Sequence, residues 1–306
     1  MDFCKKFVIG LCLDESLNNY KNFFEQYSKY IKTIYFNYYS DSRYSSRNKI
    51  AKQYQNKGNC ILLREVIGLA KKYNILTELC LNTPNLSKDN LDEAISFIKE
   101  MDIDRAVCID EYIDYLSARL PKLFICRSFN STLSKYTVIN KNYSEIVVGK
   151  SFLQNINDLK SFLNYFDLQL LINNGCIFEC PGCYSVKNGC GLLFNTLLQE
   201  KDLNYLFAFY SFFPKELSRL MGQLDEYKKC ISFKINNRTS DLSITSLILD
   251  AYMGKFDYIS LIRKNKKYHG LFCMLGHFYT EENFEELDID KIIKFKETIY
   301  DIDISY

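Results

Sequence analysis

The sequence predicts a (β/α)8 barrel of the TIM-barrel type, with a long connection after the seventh strand and a C-terminal extension. Short runs rich in Ile, Val and Phe alternate with longer amphipathic stretches from residue 6 to about residue 254, which is the rhythm of strands alternating with helices. Eight such runs can be counted, the number that closes a parallel barrel. The chain has 306 residues, 47% hydrophobic and 25% charged, enough for a full core in one large barrel.

The first run is Lys6 to Asp14, followed by a helical pattern from Ser16 to Ile31 with Leu17, Tyr20, Phe23, Phe24, Tyr27 and Ile31 on one face. The second is Thr33 to Tyr38, then a polar loop and a helix around Ile61 to Tyr73. The third, Ile75 to Asn82, is closed by Pro84, and Ser87 offers an N-cap to the helix after it. Runs four to seven are Arg105 to Asp110, Lys122 to Phe129, Glu145 to Gly149 and Asp167 to Asn174. Helical patterns at Glu111 to Arg119, Thr132 to Asn140 and Leu153 to Phe166 fill the gaps between them. The eighth run, Ile231 to Asn236, lies between helical patterns at Pro214 to Lys229 and Leu242 to Met253. The expected organisation is therefore a barrel over 1–254, including a cysteine loop at 175–190, and an extension over 255–306 that is a lid or an appended helix.

A net charge of +2 supplies no global basic field for nucleic-acid binding. The run Arg263 to Lys267 reads as a solvated loop. Met1 to Lys6 lacks the pattern of a secretory signal, and no apolar stretch is long enough to span a membrane. A cytoplasmic location is expected, where clustered cysteines serve as metal ligands or catalysts rather than disulfides.

Four of the twelve cysteines, Cys176, Cys180, Cys183 and Cys190, fall between Gly175 and Cys190. Gly175, Pro181, Gly182 and Gly189 let the backbone bend sharply enough for several sulfurs to converge. Three chemistries fit. All four thiolates can hold a [4Fe-4S] cluster. Cys176, Cys180 and Cys183, spaced Cys-x3-Cys-x2-Cys, can instead form a radical S-adenosylmethionine site with one iron open to that cofactor, although such a motif normally follows the first strand. Four sulfurs can also hold a structural zinc, which usually shows two Cys-x2-Cys pairs where only Cys180 and Cys183 form one. The loop begins at the C-terminal end of the seventh strand, the rim where barrel active sites are built.

Ser232 to Arg238, continuing to Leu249-Asp250-Ala251-Tyr252, resembles the Lys-Ile-Glu-Gly-Arg signature of the collagenase-like U32 peptidase family and the helix that follows it. Leu170 to Cys176 is similar to the strand and cysteine of that family's divergent members. The resemblance covers roughly residues 5 to 255 and implies a barrel with a cysteine-ligated [4Fe-4S] cluster. It also implies redox modification such as oxygen-independent hydroxylation of a small molecule, an RNA or a peptide, with an electron-donor protein or partner subunit. Asn236-Asn237 replaces the Glu-Gly of the signature, and cysteines that relatives distribute along the chain are here confined to one loop.

Lys234 and Arg238, at and beyond the end of the eighth strand, and Arg127, at the end of the fifth, are the candidate catalytic residues. Lys234 and Arg238 offer cations for a carboxylate or phosphate, or form ion pairs of the rim, and Arg127 is placed by position alone. Asn130, Asp110 and Glu111 are weaker rim candidates by position. Cys12, Cys80, Cys108 and Cys126 lie in strand runs and read as small buried hydrophobes. Cys230 is the substitute fourth ligand if Cys190 is not one, with Cys4 and Cys60 after it. The only histidines, His269 and His277, have no metal-pair or triad spacing, and neither a Gly-x-Ser-x-Gly elbow nor a His-Glu-x-x-His helix is present, so peptidase machinery is not visible.

Overall fold

A computed structural model describes residues 3–13, 15–37, 57–82, 86–128, 142–148, 156–173, 212–235, 242–264 and 288–300. Eight strands form a closed barrel in sequence order: β1 Phe7–Gly10, β2 Ile31–Asn37, β3 Leu76–Leu81, β4 Arg105–Cys108, β5 Phe124–Arg127, β6 Glu145–Val148, β7 Asp167–Leu171 and β8 Ile231–Ile235. Every pair is parallel, and β8 returns to β1 through Val8 opposite Lys234. The (β/α)8 expectation is met; every strand but β2 is shorter than its apolar run because the run's ends turn into loops, and β2 begins before its expected start, at Ile31, which the helical pattern had included. Strands buried on both faces explain why these runs read as nearly continuous apolar sequence.

The helices are α1 Leu17–Tyr27, α2 Lys57–Lys72, α3 Lys88–Met101, α4 Asp110–Arg119, α5 Ile156–Leu163, α6 Pro214–Gln223, α7 Leu242–Tyr252, α8 Tyr258–Lys264 and α9 Ile289–Tyr300. Helix α1 starts where the Ser16 side chain accepts from the Asn19 N–H, and it turns Tyr20, Phe23, Phe24 and Tyr27 inward. Helix α3 starts with a reciprocal capping box between Ser87 and Asn90 and stops at Asp102, whose φ of 49° is left-handed. The helical pattern expected from Pro214 to Lys229 divides. Leu224 leaves helical geometry at φ −114° and ψ 26°, and a tight turn at Asp225–Cys230 leads into β8. The helix expected at 132–140 lies outside the described residues.

Two hydrophobic populations result from the strand alternation. Outward side chains such as Ile9, Ile34, Phe36, Leu79 and Leu81 meet the helices in the larger core. Val8, Tyr35, Cys80, Val107, Cys126, Val147 and Leu171 face the lumen. In the C-terminal extension, Tyr258 of α8 sets its ring edge-on to Phe213 at 5.1 Å. Lys296 of α9 is buried and donates to Glu216 of α6 at 2.7 Å. No helix among the described residues is long and apolar enough to cross a membrane.

Candidate functional site

The strand register sorts the lumen into layers of four, each supplied by alternate strands. From the N-terminal end they are Thr33, Arg105, Glu145 and Ser232, then Val8, Glu78, Cys126 and Gln169. Tyr35, Val107, Val147 and Lys234 follow, and Gly10, Cys80, Ser128 and Leu171 lie above them. The lower layers thus hold charge where such barrels usually carry branched apolar side chains.

These charges are paired across the lumen. Lys234 Nζ donates to Glu78 Oε1 at 2.8 Å and to Gln169 Oε1 at 2.9 Å. Gln169 Nε2 donates in turn to Glu78 Oε2 at 2.6 Å and Glu145 Oε2 at 2.7 Å. Arg105 bridges the same two carboxylates, through Nε to Glu78 at 3.2 Å and through its terminal nitrogen to Glu145. From the N-terminal end, the partly exposed Lys32 reaches Glu145 Oε1 at 2.9 Å. The four buried charges, Glu78, Glu145, Arg105 and Lys234, sum to zero, and this balance makes burial tolerable. Lys234 also lies 4.3 Å from the centre of the Tyr35 ring, whose hydroxyl donates to the Ile235 carbonyl at 2.9 Å.

Burial alone would push the Glu78 carboxyl up, but the Lys234 ammonium and the Arg105 guanidinium outweigh it and hold the group below its ordinary value. For Lys234, burial disfavours the charge, yet the facing Glu78 carboxylate wins and raises its pKa. Arg105 is likewise raised, with burial opposed by Glu145 and Glu78. Glu78, Lys234 and Arg105 are therefore each held in the charged form by their partners.

Glu78, Cys126 and Glu145 bring ligand-type atoms within 4.8 Å of one another, the spacing of a metal site. Their chemistry is less accommodating. Both carboxylates already hold cations, so an added divalent ion would have to displace Arg105 or Gln169. Burial, reinforced by the two glutamates, pushes the Cys126 thiol well above its ordinary value and disfavours the thiolate that a metal needs.

Of the candidate catalytic residues, Lys234 is 5% exposed, with its ammonium turned down into the lumen rather than outward into the mouth. Arg127 is 2% exposed and faces the helical layer, where its Nε donates to Asp110 Oδ1 at 2.5 Å and its terminal nitrogen to the other oxygen. This pair joins the end of β5 to the first turn of α4. Glu111 also lies in that first turn, where a negative charge suits the positive end of the helix. Arg238, Asn130, His269, His277 and the four cysteines at 176, 180, 183 and 190 lie outside the described residues.

The seven described cysteines form no disulfide. Cys12, Cys80, Cys108 and Cys126 are buried, as expected of small hydrophobes, with Cys108 on the outer face and Cys80 and Cys126 in the lumen. Burial pushes the Cys108 thiol up. Cys230 stands at the entry to β8, and its thiol is raised by burial and by Asp167, which begins β7. That is the N-terminal end of the barrel, whereas the cysteine segment follows the C-terminal end of β7.

The two ends of that segment are held together. After β7, the Ile172 N–H donates to the Lys234 carbonyl at 3.1 Å, so the chain leaves beside the C-terminal end of β8. It returns at Phe212, and the Tyr252 hydroxyl lies 3.2 Å from the Ile172 carbonyl and 2.8 Å from that of Phe212. Next to this point Glu216 accepts from the Phe213 N–H at 2.6 Å and from Lys296.

The lumen network was missed in the sequence although a signal was present. Glu78, Arg105, Glu145, Gln169 and Lys234 are polar residues set at inward positions of otherwise apolar strands.

No family model and no curated protein matches the sequence. Solved structures that align with the chain include a U32 peptidase, at 11% identity over 56% of this chain and 70% of that one, with a TM-score of 0.36. A mutant tryptophan synthase alpha-subunit from Pyrococcus furiosus aligns at 10% identity over 83% of this chain and 100% of that one, with a TM-score of 0.44. An OMP decarboxylase from Leishmania donovani aligns at 14% identity over 54% and 74%, with a TM-score of 0.40.

Proposed function

We propose that this chain is an iron–sulfur TIM-barrel protein in which Cys176, Cys180, Cys183 and Cys190 hold a [4Fe-4S] cluster at the C-terminal mouth. The observation that carries the proposal is the spacing of four cysteines within Gly175 to Cys190, in a segment whose two ends meet at Tyr252 beside the C-terminal ends of β7 and β8. A bound cluster would supply one-electron transfer at a potential set by its surroundings. The reaction class is a redox modification, such as oxygen-independent hydroxylation of a small molecule, an RNA or a peptide, in which the two electrons lost by the substrate reduce an organic oxygen donor and a donor protein serves only to set the redox state of the cluster. The U32-like signature around Lys234 and Tyr252 supports this class. Lys234 and Arg127 would act while paired to Glu78 and Asp110, setting the field below and beside the mouth, and Arg238 would face the substrate.

Anaerobic purification followed by iron, sulfide and zinc analysis tests the proposal. Brown protein with about four irons and four sulfides per chain is expected. Stoichiometric zinc without iron overturns it and leaves a non-catalytic protein with a structural Cys4 site.

A second chemistry is favoured by the Cys-x3-Cys-x2-Cys spacing of Cys176, Cys180 and Cys183, namely a radical S-adenosylmethionine enzyme. Cys190→Ala separates the two. A cluster that survives this substitution and changes its spectrum on adding S-adenosylmethionine selects the radical enzyme; loss of the cluster selects the four-cysteine site.

A further inference from the structure

The N-terminal end of the lumen carries more hydrogen-bond donors and more positive charge than its own residues satisfy. Thr33 stands in register with Val8, which faces the lumen, so the threonine side chain faces the lumen too. Its hydroxyl is fully buried and has no hydrogen-bond partner among the described residues. The register of β1 on β2 slips between Phe7 and Val8, which lie opposite Ile31 and Thr33, so Lys32 is the extra residue of a bulge. A bulge re-aims a side chain, and here the Lys32 ammonium turns inward to Glu145 Oε1. This end is also open to solvent. The Lys32 side chain remains 22% exposed, and Leu76, which pairs with Thr33 and shares its face, is 37% exposed.

Donors and acceptors do not balance here. Lys32 and Arg105 bring about eight N–H donors between them. Their bonds among the described residues take three, two to Glu145 and one to Glu78, so donors are left over beside the unpartnered hydroxyl. The Glu145 carboxylate has little left to accept with, because Oε1 takes Lys32 and Oε2 takes both Arg105 and Gln169. A water at this place would need acceptors for its own two hydrogens. Charge points the same way. With Lys32 counted, three cations, Lys32, Arg105 and Lys234, face two carboxylates, Glu78 and Glu145, which leaves one positive charge over. Lys6 and Asp167, at the starts of β1 and β7, both act on the nearby Cys230 thiol and offset one another. A surplus charge in a buried layer is costly unless it is countered. The group that completes this layer is an acceptor with one negative charge, small enough to lie against a fully buried hydroxyl.

We propose that the N-terminal end of the lumen binds a small monovalent anion of halide size, held by the Thr33 hydroxyl and the Lys32 ammonium in the layer of Arg105. The anion completes the charge balance of the barrel interior. It lies at the opposite end from the cysteine segment and does not depend on which metal the cysteines hold.

The test is thermal shift on the full chain in sodium chloride or bromide against sodium gluconate, whose anion is too large for the site, at equal ionic strength. A saturable rise of about 2 °C or more is expected at ten times the dissociation constant of the halide. Thr33→Val should abolish that rise while melting no lower than the parent in gluconate, because it removes a hydroxyl that has no partner there. Lys32→Gln, which keeps a donor for Glu145 but removes the surplus charge, should abolish it as well. Crystals soaked in bromide should show an anomalous peak beside Thr33 Oγ1. The proposal is overturned if halide and gluconate give the same melting temperature, if either variant folds and keeps the halide-dependent rise, or if the bromide peak is absent from Thr33.

Discussion

Lys234 and Glu78 meet at 2.8 Å inside the barrel, from strands that are not neighbours in the sheet. The pair crosses the lumen, and with Gln169 and Arg105 it ties β8, β3, β7 and β4 into one hydrogen-bonded unit. Removing one member strands the others in a medium that cannot solvate them. Lys234→Met should lower the unfolding free energy by about 3 kcal/mol, read as a fall in the urea midpoint at unchanged slope. The double change Lys234→Met with Glu78→Gln should recover part of that loss, because neither partner is then a lone buried charge.

The same network sets a pH dependence with a definite sign. The Glu78 carboxyl is depressed in the folded state, so its contribution is present above its unfolded pKa of about 4.3 and disappears as pH falls through the lower folded value. Lys234 is raised, so its contribution is full below an unfolded pKa of about 10.4 and is lost only as pH climbs through the higher folded value. Stability measured against pH should therefore show no loss from this pair near neutrality and a fall below about pH 4. In Glu78→Gln the part of that acid fall due to Glu78 should vanish.

Tyr252→Phe removes one hydroxyl that serves two carbonyls at the base of the cysteine segment. A cost of about 1–2 kcal/mol is expected, since the carbonyls are buried with the ring. Native-state hydrogen exchange should quicken at Ile172 and Phe213 while amides of β2 and β3 are unaffected.

Lys296→Met should cost about 3 kcal/mol, because Glu216 would keep its bond to the Phe213 N–H but lose its buried counter-charge. Truncation after residue 288 should have at least that effect, through Lys296 and the buried Ile292 together. Thermal melts of both proteins check this. A truncated chain that melts like the full one would show that the extension contributes nothing to the barrel.

Cys230→Ala should leave the metal content unchanged, in contrast to Cys180→Ala. Cys230 shares the N-terminal end of the barrel with Asp167, on the far side from the chain's exit after β7. Metal analysis of the two variants decides it.

The barrel was legible because doubly buried strands advertise themselves as apolar runs and the helices between them show one apolar face. Ser87 even announced the start of α3 through its own capping chemistry. The lumen was only half legible. Lys234 was visible as a cation near a strand end, but whether its ammonium rises into the mouth or turns into the barrel depends on Glu78, which lies on a strand 156 residues away. Arg127 poses the same problem. Its position at a strand end suggested the rim, while the alternation that sends Cys126 inward sends Arg127 outward to Asp110. Partner identity over such separations is set by strand register, which local sequence does not encode.

The closure at Tyr252 also bears on how such a chain can change. Because the carbonyls of Ile172 and Phe212 each lie within 3.2 Å of one oxygen atom, everything from 173 to 211 leaves and re-enters the barrel through a single doorway. A segment attached this way can be lengthened, shortened or exchanged for another without shifting any strand, since closing the gap between its ends takes little chain. The barrel and the segment it carries can therefore acquire substitutions independently, provided that the tyrosine at the doorway is kept.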